Sequence, residues 1–377
     1  MRRFPCWLLV APAILGAALS RPISAQQLSG RLERIGTLEP LAGALVLLVD
    51  SLGREVTRTV SSASGGFALT ATFPGRFHLR VLRIGATPWT TAPILLGQNE
   101  RRDIRLTLED NPVQLPEIEI RAAGNRCGIR PGDSDVMARL LTEAEKALAI
   151  ATESIREGQL QFRTETWTNR PDPDGTPGER ERHTALGVAT WPVQSAPPES
   201  LAVWGFVHDG PPYGVPEELV TERGPVFYGP DERVLFADWF LDAHCFSVEA
   251  DSGSTSPTLV MRFRPLRSHR GVDISGTLQL NRETLELRGI TFRYTGLGTW
   301  VPPDSAGGEL SFRRLRSGAL IIDRWTLRAP IPLFRPGRQP GFFGFAESGG
   351  RVIEVQRGRT GEPERLSLSS SLWRSDL

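Results

Sequence analysis

In most of this chain, apolar and polar residues alternate in short runs that turn residues separate. This pattern predicts that most of the chain is extended. Between residues 28 and 109, runs such as 77–81 (FHLRV) place every second apolar side chain on one face of a strand. Glycine-containing sequences at 50–53 (DSLG) and 64–66 (SGG) separate these runs and are typical of tight turns. The pattern predicts an all-β unit at the amino-terminal end.

One segment departs from this pattern and predicts a long helix over residues 133–157. Asp133 or Ser134 can cap its amino end, and Gly158 follows its last turn. Apolar residues recur there at helical spacing and form a stripe along one side. The stripe consists of Val136, Leu140, Leu141, Ala144, Ala147, Leu148, Ala151 and Ile155.

Strand patterns continue after the helix and predict a second β-rich unit. The clearest pair is 273–280 with 285–294, joined by a turn at 281–284, with a bulge at Gly289. A helix followed by such a meander predicts one curved antiparallel sheet whose concave face the helix covers. The predicted strands are 160–168, 183–191, 200–207, 245–250, 258–264, 273–281, 285–295, 309–315, 320–328 and 351–357.

The first 25 residues have the composition of an export signal. Arg2 and Arg3 precede an apolar stretch at 7–19, and Ala25 provides the small residue that signal peptidase requires, so Gln26 would begin the mature chain. No later segment reaches 18 uninterrupted apolar residues. We therefore expect an exported protein, periplasmic or associated with the outer membrane, without a transmembrane helix in the mature chain.

Charge and cysteine content narrow the functional classes. The formal net charge of +1 gives no basic footprint for nucleic acid. Lys146 is the only lysine, and the sequence assigns it no function. Cys127 and Cys245 remain after loss of the export signal, and an oxidising compartment favours a disulfide between them, although unpaired cysteines are the alternative.

The amino-terminal unit resembles a known family. The run GRLERIGTLEPLAGALVLLVD, followed by SGGFAL and PGRFHLRVLRIG, is similar to the carboxypeptidase regulatory-like domain. The resemblance implies a seven-stranded, transthyretin-like β-sandwich without catalytic residues. Together with the export signal and the helix and strand patterns, it divides the chain into a signal peptide (1–25), this sandwich (26–120), a linker (121–132) and a helix-plus-sheet domain (133–377).

The second domain has weaker resemblances. Residues 259–294 are similar to uncharacterised β-rich regions that accompany the regulatory-like module in envelope proteins, with Asn281 where that pattern has Asp. Its rhythm of helix and strands also resembles the half-barrel of periplasmic lipoprotein carriers, in which a sheet and a helix enclose an apolar ligand. The fold class expected for the whole chain is mainly β.

Candidate sites are few. Asp238, Asp242 and His244 form the densest polar cluster, which a short helix with buried Trp239 and Phe240 would also explain. Because no HExxH spacing or GxSxG elbow occurs, we predict no catalytic, metal-binding or cofactor-binding residue and no cofactor.

Aromatic and basic residues offer binding surfaces instead. The segment 330–350 is predicted as a loop, acting as a lid or a docking strip or folded onto its own domain; its aromatic residues are Phe334, Phe342, Phe343 and Phe345. Two basic runs fit the solvated face of a sheet or a contact with anionic lipid headgroups: Arg262, Arg264, Arg267 and Arg270, and Arg313, Arg314 and Arg316. Five tryptophans fit a core or a ligand cleft: Trp167, Trp191, Trp204, Trp300 and Trp325.

The sequence therefore favours a non-enzymatic envelope protein that acts as an interaction or scaffold module. Its expected partner is an envelope protein or an outer-membrane component. The alternative is a periplasmic carrier or sensor that binds an apolar ligand between helix 133–157 and the sheet. A third possibility is an enzyme of unknown type.

Overall fold

The fold is known from a computed structural model. It describes residues 26–109, 111–113, 135–156, 160–172, 174–176, 178–188, 190–216, 224–250, 258–266, 271–333, 341–357 and 363–366. The signal peptide, the linker and Cys127 lie outside the described residues.

The amino-terminal unit is a sandwich of two sheets. One sheet has the order β4-β1-β8, and the other has the order β3-β2-β5-β6, with β7 paired to β5. The alternating apolar residues pack between them, with Leu32, Leu48 and Phe77 fully buried. This confirms the predicted sandwich. Its strands are β1 (Gln26–Arg34), β2 (Leu45–Asp50), β3 (Glu55–Val60), β4 (Gly66–Ala71), β5 (Gly75–Leu82), β6 (Trp89–Thr90), β7 (Ile94–Leu96) and β8 (Arg101–Leu108).

Among the described residues, the second unit contains one long antiparallel sheet, a separate two-stranded sheet of β11 and β12, and four helices. The sheet order is β10-β9-β19-β18-β17-β16-β15-β14-β13, with β20 paired to β19. The elements are α1 (Asp135–Arg156), β9 (Leu160–Asn169), β10 (Glu181–Val188), α2 (Pro198–Trp204), β11 (Val207–Asp209), β12 (Pro225–Phe227), α3 (Glu232–Leu235), α4 (Asp238–Ala243), β13 (His244–Ala250), β14 (Thr258–Pro265), β15 (Asp273–Asn281), β16 (Leu287–Thr295), β17 (Gly307–Arg314), β18 (Leu320–Leu333), β19 (Gly341–Arg357) and β20 (Glu364–Arg365). The mainly β class is confirmed.

Helix α1 lies inside the predicted range 133–157 and belongs to both units. Six of the eight stripe residues are buried, among them Leu140, Ala144 and Leu148, whereas Val136 and Ile155 at its ends are partly exposed. The same core contains Leu45 and Val60 of the sandwich together with the inner face of the long sheet. Because both units bury apolar surface on this helix, it is the structural joint of the chain.

Lys146 connects α1 to the sandwich. Its ammonium group is buried and donates to the carbonyl oxygens of Ala86 at 2.7 Å and Arg83 at 3.3 Å, and to Glu143 Oε1 at 2.6 Å. Glu143 Oε2 accepts the backbone N–H of Gly85 at 2.7 Å. All three ammonium protons therefore have acceptors, and both charges are neutralised inside the joint.

A second ion network lies beside the first. The Arg58 guanidinium of β3 binds both carboxylate oxygens of Glu232 on α3, at 2.9 and 3.0 Å. Its Nε also donates to Glu153 of α1 at 3.3 Å, and Arg156 pairs with the same carboxylate at 2.6 Å. Planar two-point pairing of this kind fixes orientation as well as distance.

Two predicted elements were wrong. Residues 200–207 were expected to be a strand, but α2 occupies 198–204 because Pro198 stands at its first turn, where a missing N–H costs nothing. Residues 330–350 were expected to be a loop, but 330–333 belong to β18 and 341–350 belong to β19, and these two strands pair with each other. Pro330 and Pro332 are accommodated beside a bulge at Ile331/Pro332.

Replacement of Lys146 by methionine should destabilise the chain by about 3–5 kcal/mol, because Glu143 then remains buried without a cation. Chemical denaturation of K146M against the unmodified protein measures this loss. The double variant K146M/E143Q should recover part of it, and the exposed control T142A should change little. A loss below about 1 kcal/mol in K146M would show that the pair does not hold the joint.

Asp50 fixes the turn between β2 and β3. One carboxylate oxygen accepts the backbone N–H groups of Leu52 and Arg54, both at 2.9 Å, and the other accepts Arg54 Nε at 2.8 Å. The backbone hydrogen bond from Arg54 is the largest contribution that holds the pKa of Asp50 below its ordinary value, against the opposing effect of burial. The ionised form therefore stabilises the fold above the unfolded-state pKa and loses that effect as pH falls through the folded-state pKa.

D50N should accordingly be less stable than the unmodified protein at neutral pH. The difference should narrow between neutral pH and an acidic pH at which Asp50 itself takes up a proton. Urea denaturation at both pH values measures it, with the exposed D242N as the matched control. A difference that stays constant with pH would contradict the ionic contribution.

Candidate interaction surface

Strand β10 forms one edge of the long sheet and is exposed on both faces. All eight residues, Glu181–Val188, are exposed, and Leu186 and Val188 keep 52% and 57% of their accessible surface. Within the part of the chain that the structure describes, β10 pairs only with β9. Its outer edge therefore presents main-chain groups and apolar side chains together.

The length of α1 explains why β10 is exposed. A helix of 22 residues is about 33 Å long at 1.5 Å per residue. Helix α1 contacts β13, β16 and β18 on the inner face of the sheet. Strands β9 and β10 lie beyond β18 and β19 in the strand order. The sheet therefore extends past the helix that covers its other end.

An aromatic ring and an arginine mark the outer face next to β10. Trp167 of β9 lies opposite Gly349 of β19, and a Cβ at Gly349 would come within 2.7 Å of the indole. Glycine therefore lets the ring lie flat on the neighbouring backbone. The Arg180 guanidinium covers the other side of the ring, 4.0 Å from its centroid.

The phenylalanine-rich segment adds a second aromatic group. Phe342 and Phe345 of β19 pack edge to face with ring centroids 4.8 Å apart, and Arg328 lies 3.9 Å over Phe345. Phe342 is 38% exposed, and Phe343 is half-buried. These residues lie on a strand and do not form a loop lid, and Phe334 lies outside the described residues.

Cross-strand ion pairs lie on the outer face of β9, β19 and β18. Arg351 pairs with Glu165 at 2.6 Å, and Arg328 pairs with Glu347 at 3.2 Å. Of the predicted basic runs, Arg262, Arg264 and Arg316 are exposed, Arg313 pairs with Asp323 and Arg314 with Glu286, while Arg267 and Arg270 lie outside the described residues. The described arginines of these runs are therefore either exposed to solvent or paired with a carboxylate of the same domain.

The predicted polar cluster does not converge. Asp238 and Asp242 are exposed on α4, whereas His244 is buried. The imidazole Nδ1 lies 2.9 Å from the Phe240 carbonyl oxygen, and Nε2 lies 3.2 Å from Asp273 Oδ1. His244 also stacks on the Phe240 ring at 3.7 Å. No group of three or more metal-ligating side chains occurs among the described residues.

The space under α1 is filled by side chains. At the carboxyl end of α1, where it meets the sandwich, a cavity of about 30 Å³ is lined by Ser61, Ser154 and Ser317, among other residues. A volume of this size holds about one or two water molecules. The joint therefore has no room at this position for an apolar ligand.

The tryptophans do not form one cleft. Trp325 lies opposite Gly350 and Trp167 opposite Gly349, so the two indoles are on opposite faces of the sheet. Trp204 stacks on His208 with centroids 4.5 Å apart. Trp191 and Trp300 are partly buried.

Sequence reasoning found strand 183–191 but not its position at the edge, and it missed Arg180. The available signal was composition, since Glu181, Arg182 and His183 begin a strand that has no consistently apolar face. Such a strand cannot lie in the middle of a covered sheet.

Comparisons with known proteins identify the amino-terminal unit. Residues 27–109 match the family model of the carboxypeptidase regulatory-like domain, which confirms the resemblance of the sandwich. No curated protein matches the chain. None of the described helices is long and apolar enough to cross a membrane.

Two solved structures show limited similarity. The minor pilin from the gram-positive pathogen Streptococcus agalactiae is 17% identical over 26% of this chain, with a TM-score of 0.18, and the match covers about half (48%) of the pilin. A protein from Bacteroides uniformis described as carbohydrate-binding is 8% identical over 72% of this chain and 95% of its own, with a TM-score of 0.20. Similarity at this level carries no argument about function.

The disulfide between Cys127 and Cys245 stays a prediction. Cys245 is buried at the start of β13, whereas Cys127 lies outside the described residues. Non-reducing peptide mapping of the exported protein should recover the two cysteines in one linked peptide. A loop of about 120 residues would make the bond worth roughly 4–5 kcal/mol. Alkylation of both thiols in the denatured, unreduced protein would refute the pairing.

Proposed function

We propose that this chain, whose amino-terminal sandwich is a carboxypeptidase regulatory-like domain, is a non-enzymatic exported envelope protein that acts as an interaction or scaffold module. The observation that carries the proposal is β10, an eight-residue edge strand exposed on both faces. We assign partner binding to this strand and to the aromatic and arginine residues beside it.

Strand addition is the mode of binding that this surface favours. An extended segment of a partner can hydrogen-bond along the outer edge of β10, while its side chains alternate between the two faces. On the Trp167 face, Leu186 and Val188 would contact apolar side chains of the added strand. Main-chain bonds would then supply affinity, and Arg182 and Trp167 would contribute to selection.

The joint at α1 supports a scaffold role. The Lys146–Glu143 pair and the Arg58–Glu232 pair both connect the sandwich to the second unit. A partner bound at β10 would therefore be held at a defined position relative to the sandwich. Compartment is part of the proposal: residues 1–25 would direct the chain to the periplasm or the outer membrane.

The two other candidate functions have no supporting observation. A carrier needs an apolar cavity under α1, but Leu140, Ala144 and Leu148 are fully buried in a packed core. An enzyme built on His244 needs that ring to face a cleft beside Asp238 and Asp242. Its nitrogens instead face the buried oxygens of Phe240, Ile274 and Asp273.

A photo-crosslinking amino acid at Thr184 on β10 tests the proposal. In an outer-membrane fraction it should give a discrete adduct, because the side chain lies beside the partner strand. The adduct should be lost in L186K/V188K, since both side chains are already exposed and the fold should tolerate the charges.

The same crosslinker at Val203 on α2 is the control, since this side chain is 79% exposed on another element. Equal labelling from Val203, or an unchanged Thr184 adduct in L186K/V188K, would refute β10 as the binding edge.

A further inference from the structure

Three large apolar side chains are exposed at one end of the sandwich. Leu52, Phe73 and Leu95 keep 74%, 44% and 62% of their accessible surface. They belong to the β2–β3 turn, the β4–β5 turn and strand β7 respectively. We call this group the apolar tip.

The strand directions place all three side chains at the end remote from α1. Strand β2 starts at Leu45, which packs in the α1 core, and ends at Asp50, next to Leu52. Asp50 lies opposite Phe77 of β5, close to the β4–β5 turn. Leu95 lies opposite Arg76, one residue before Phe77. The tip and the joint therefore occupy opposite ends of the sandwich.

The tip is held by specific contacts. The Asp50 carboxylate fixes the turn that carries Leu52. The Phe73 ring packs against the buried Phe77 with centroids 5.5 Å apart, and Arg102 Nη1 donates to the Leu95 carbonyl oxygen at 3.2 Å. These contacts hold the three apolar side chains at the surface, where the described chain leaves much of their area uncovered.

The point at which the chain enters the sandwich indicates which partner contacts the apolar tip. Gln26, the first residue of β1, lies opposite Ala71, two residues before Phe73. Residues 1–25 therefore precede the sandwich at the tip. If they act as the export signal predicted from the sequence, this end of the sandwich faces the lipid bilayer while the signal is still attached.

We infer that the apolar tip inserts into the surface of a phospholipid bilayer and holds the protein at the membrane. Leu52, Phe73 and Leu95 would enter the boundary between headgroups and acyl chains, as apolar residues do in peripheral proteins. Arg76 and Arg102, both exposed beside Leu95, would contact lipid phosphates. The inference is independent of β10, which lies in the other unit of the chain.

Vesicle co-sedimentation tests it with the chain from Gln26 onward, which contains every described residue and lacks the apolar stretch at 7–19. Vesicles of phosphatidylethanolamine and phosphatidylglycerol should pellet the protein. L52S/F73S/L95S should bind them at least about tenfold more weakly, because the buried apolar surface is lost. R76S/R102S should lose less, and its loss should be larger on vesicles richer in phosphatidylglycerol, because their negative surface charge strengthens the attraction of each arginine.

The matched control is I35S/L38S/V203S, which removes three apolar side chains of similar exposure away from the tip. It should bind vesicles like the unmodified protein. Circular dichroism and thermal unfolding show whether the variants remain folded, and a single F73S substitution serves if the triple variant does not fold. Equal loss in the control, unchanged binding in the tip variants, or no binding of the unmodified protein to either lipid would overturn the inference.

Discussion

The buried pair of Lys146 and Glu143 is the interaction on which the arrangement of the two β units depends. Each charge would be costly inside the protein, but the lysine has three acceptors and the carboxylate binds both the lysine and the Gly85 amide. The pair is satisfied only when the loop after β5 and helix α1 are in contact. It therefore selects one docking geometry, whereas the surrounding apolar contacts would tolerate several.

Covering by α1 also determines which surfaces remain for binding. The helix buries the inner face of the sheet as far as β18 and the joint end of the sandwich. The helix does not reach β10, at one edge of the sheet, or the apolar tip, at the far end of the sandwich. The two proposed binding regions thus follow from the length of a single helix, and they differ in character. The edge strand offers backbone hydrogen bonds, and the tip offers apolar side chains flanked by Arg76 and Arg102.

Most of the fold was predictable because it follows from local periodicity. Alternating apolar residues located the sandwich, the longer strands of both units and the 281–284 turn, and helical spacing located α1. The short strands β6, β7, β11, β12 and β20 were not predicted. Failures occurred where local signals competed. The apolar run at 200–207 resembles a strand, but Pro198 and the helix-forming residues after it produce α2. Segment 330–350 has turn residues, yet its described parts, 330–333 and 341–350, are held extended by the pairing between β18 and β19.

For the candidate surface as well, some properties could be predicted from the sequence and others could not. By itself, the sequence determined the class of most segments and the family of the sandwich, because both depend on neighbouring residues and on short motifs. Only the tertiary structure decided that β10 is an edge strand and that His244 is buried away from Asp238 and Asp242. It also decided that Lys146, the single lysine, connects helix α1 to the sandwich. Each of these depends on contacts between residues far apart in the chain. Such contacts leave no periodic trace, since burial and strand order are properties of the assembled chain.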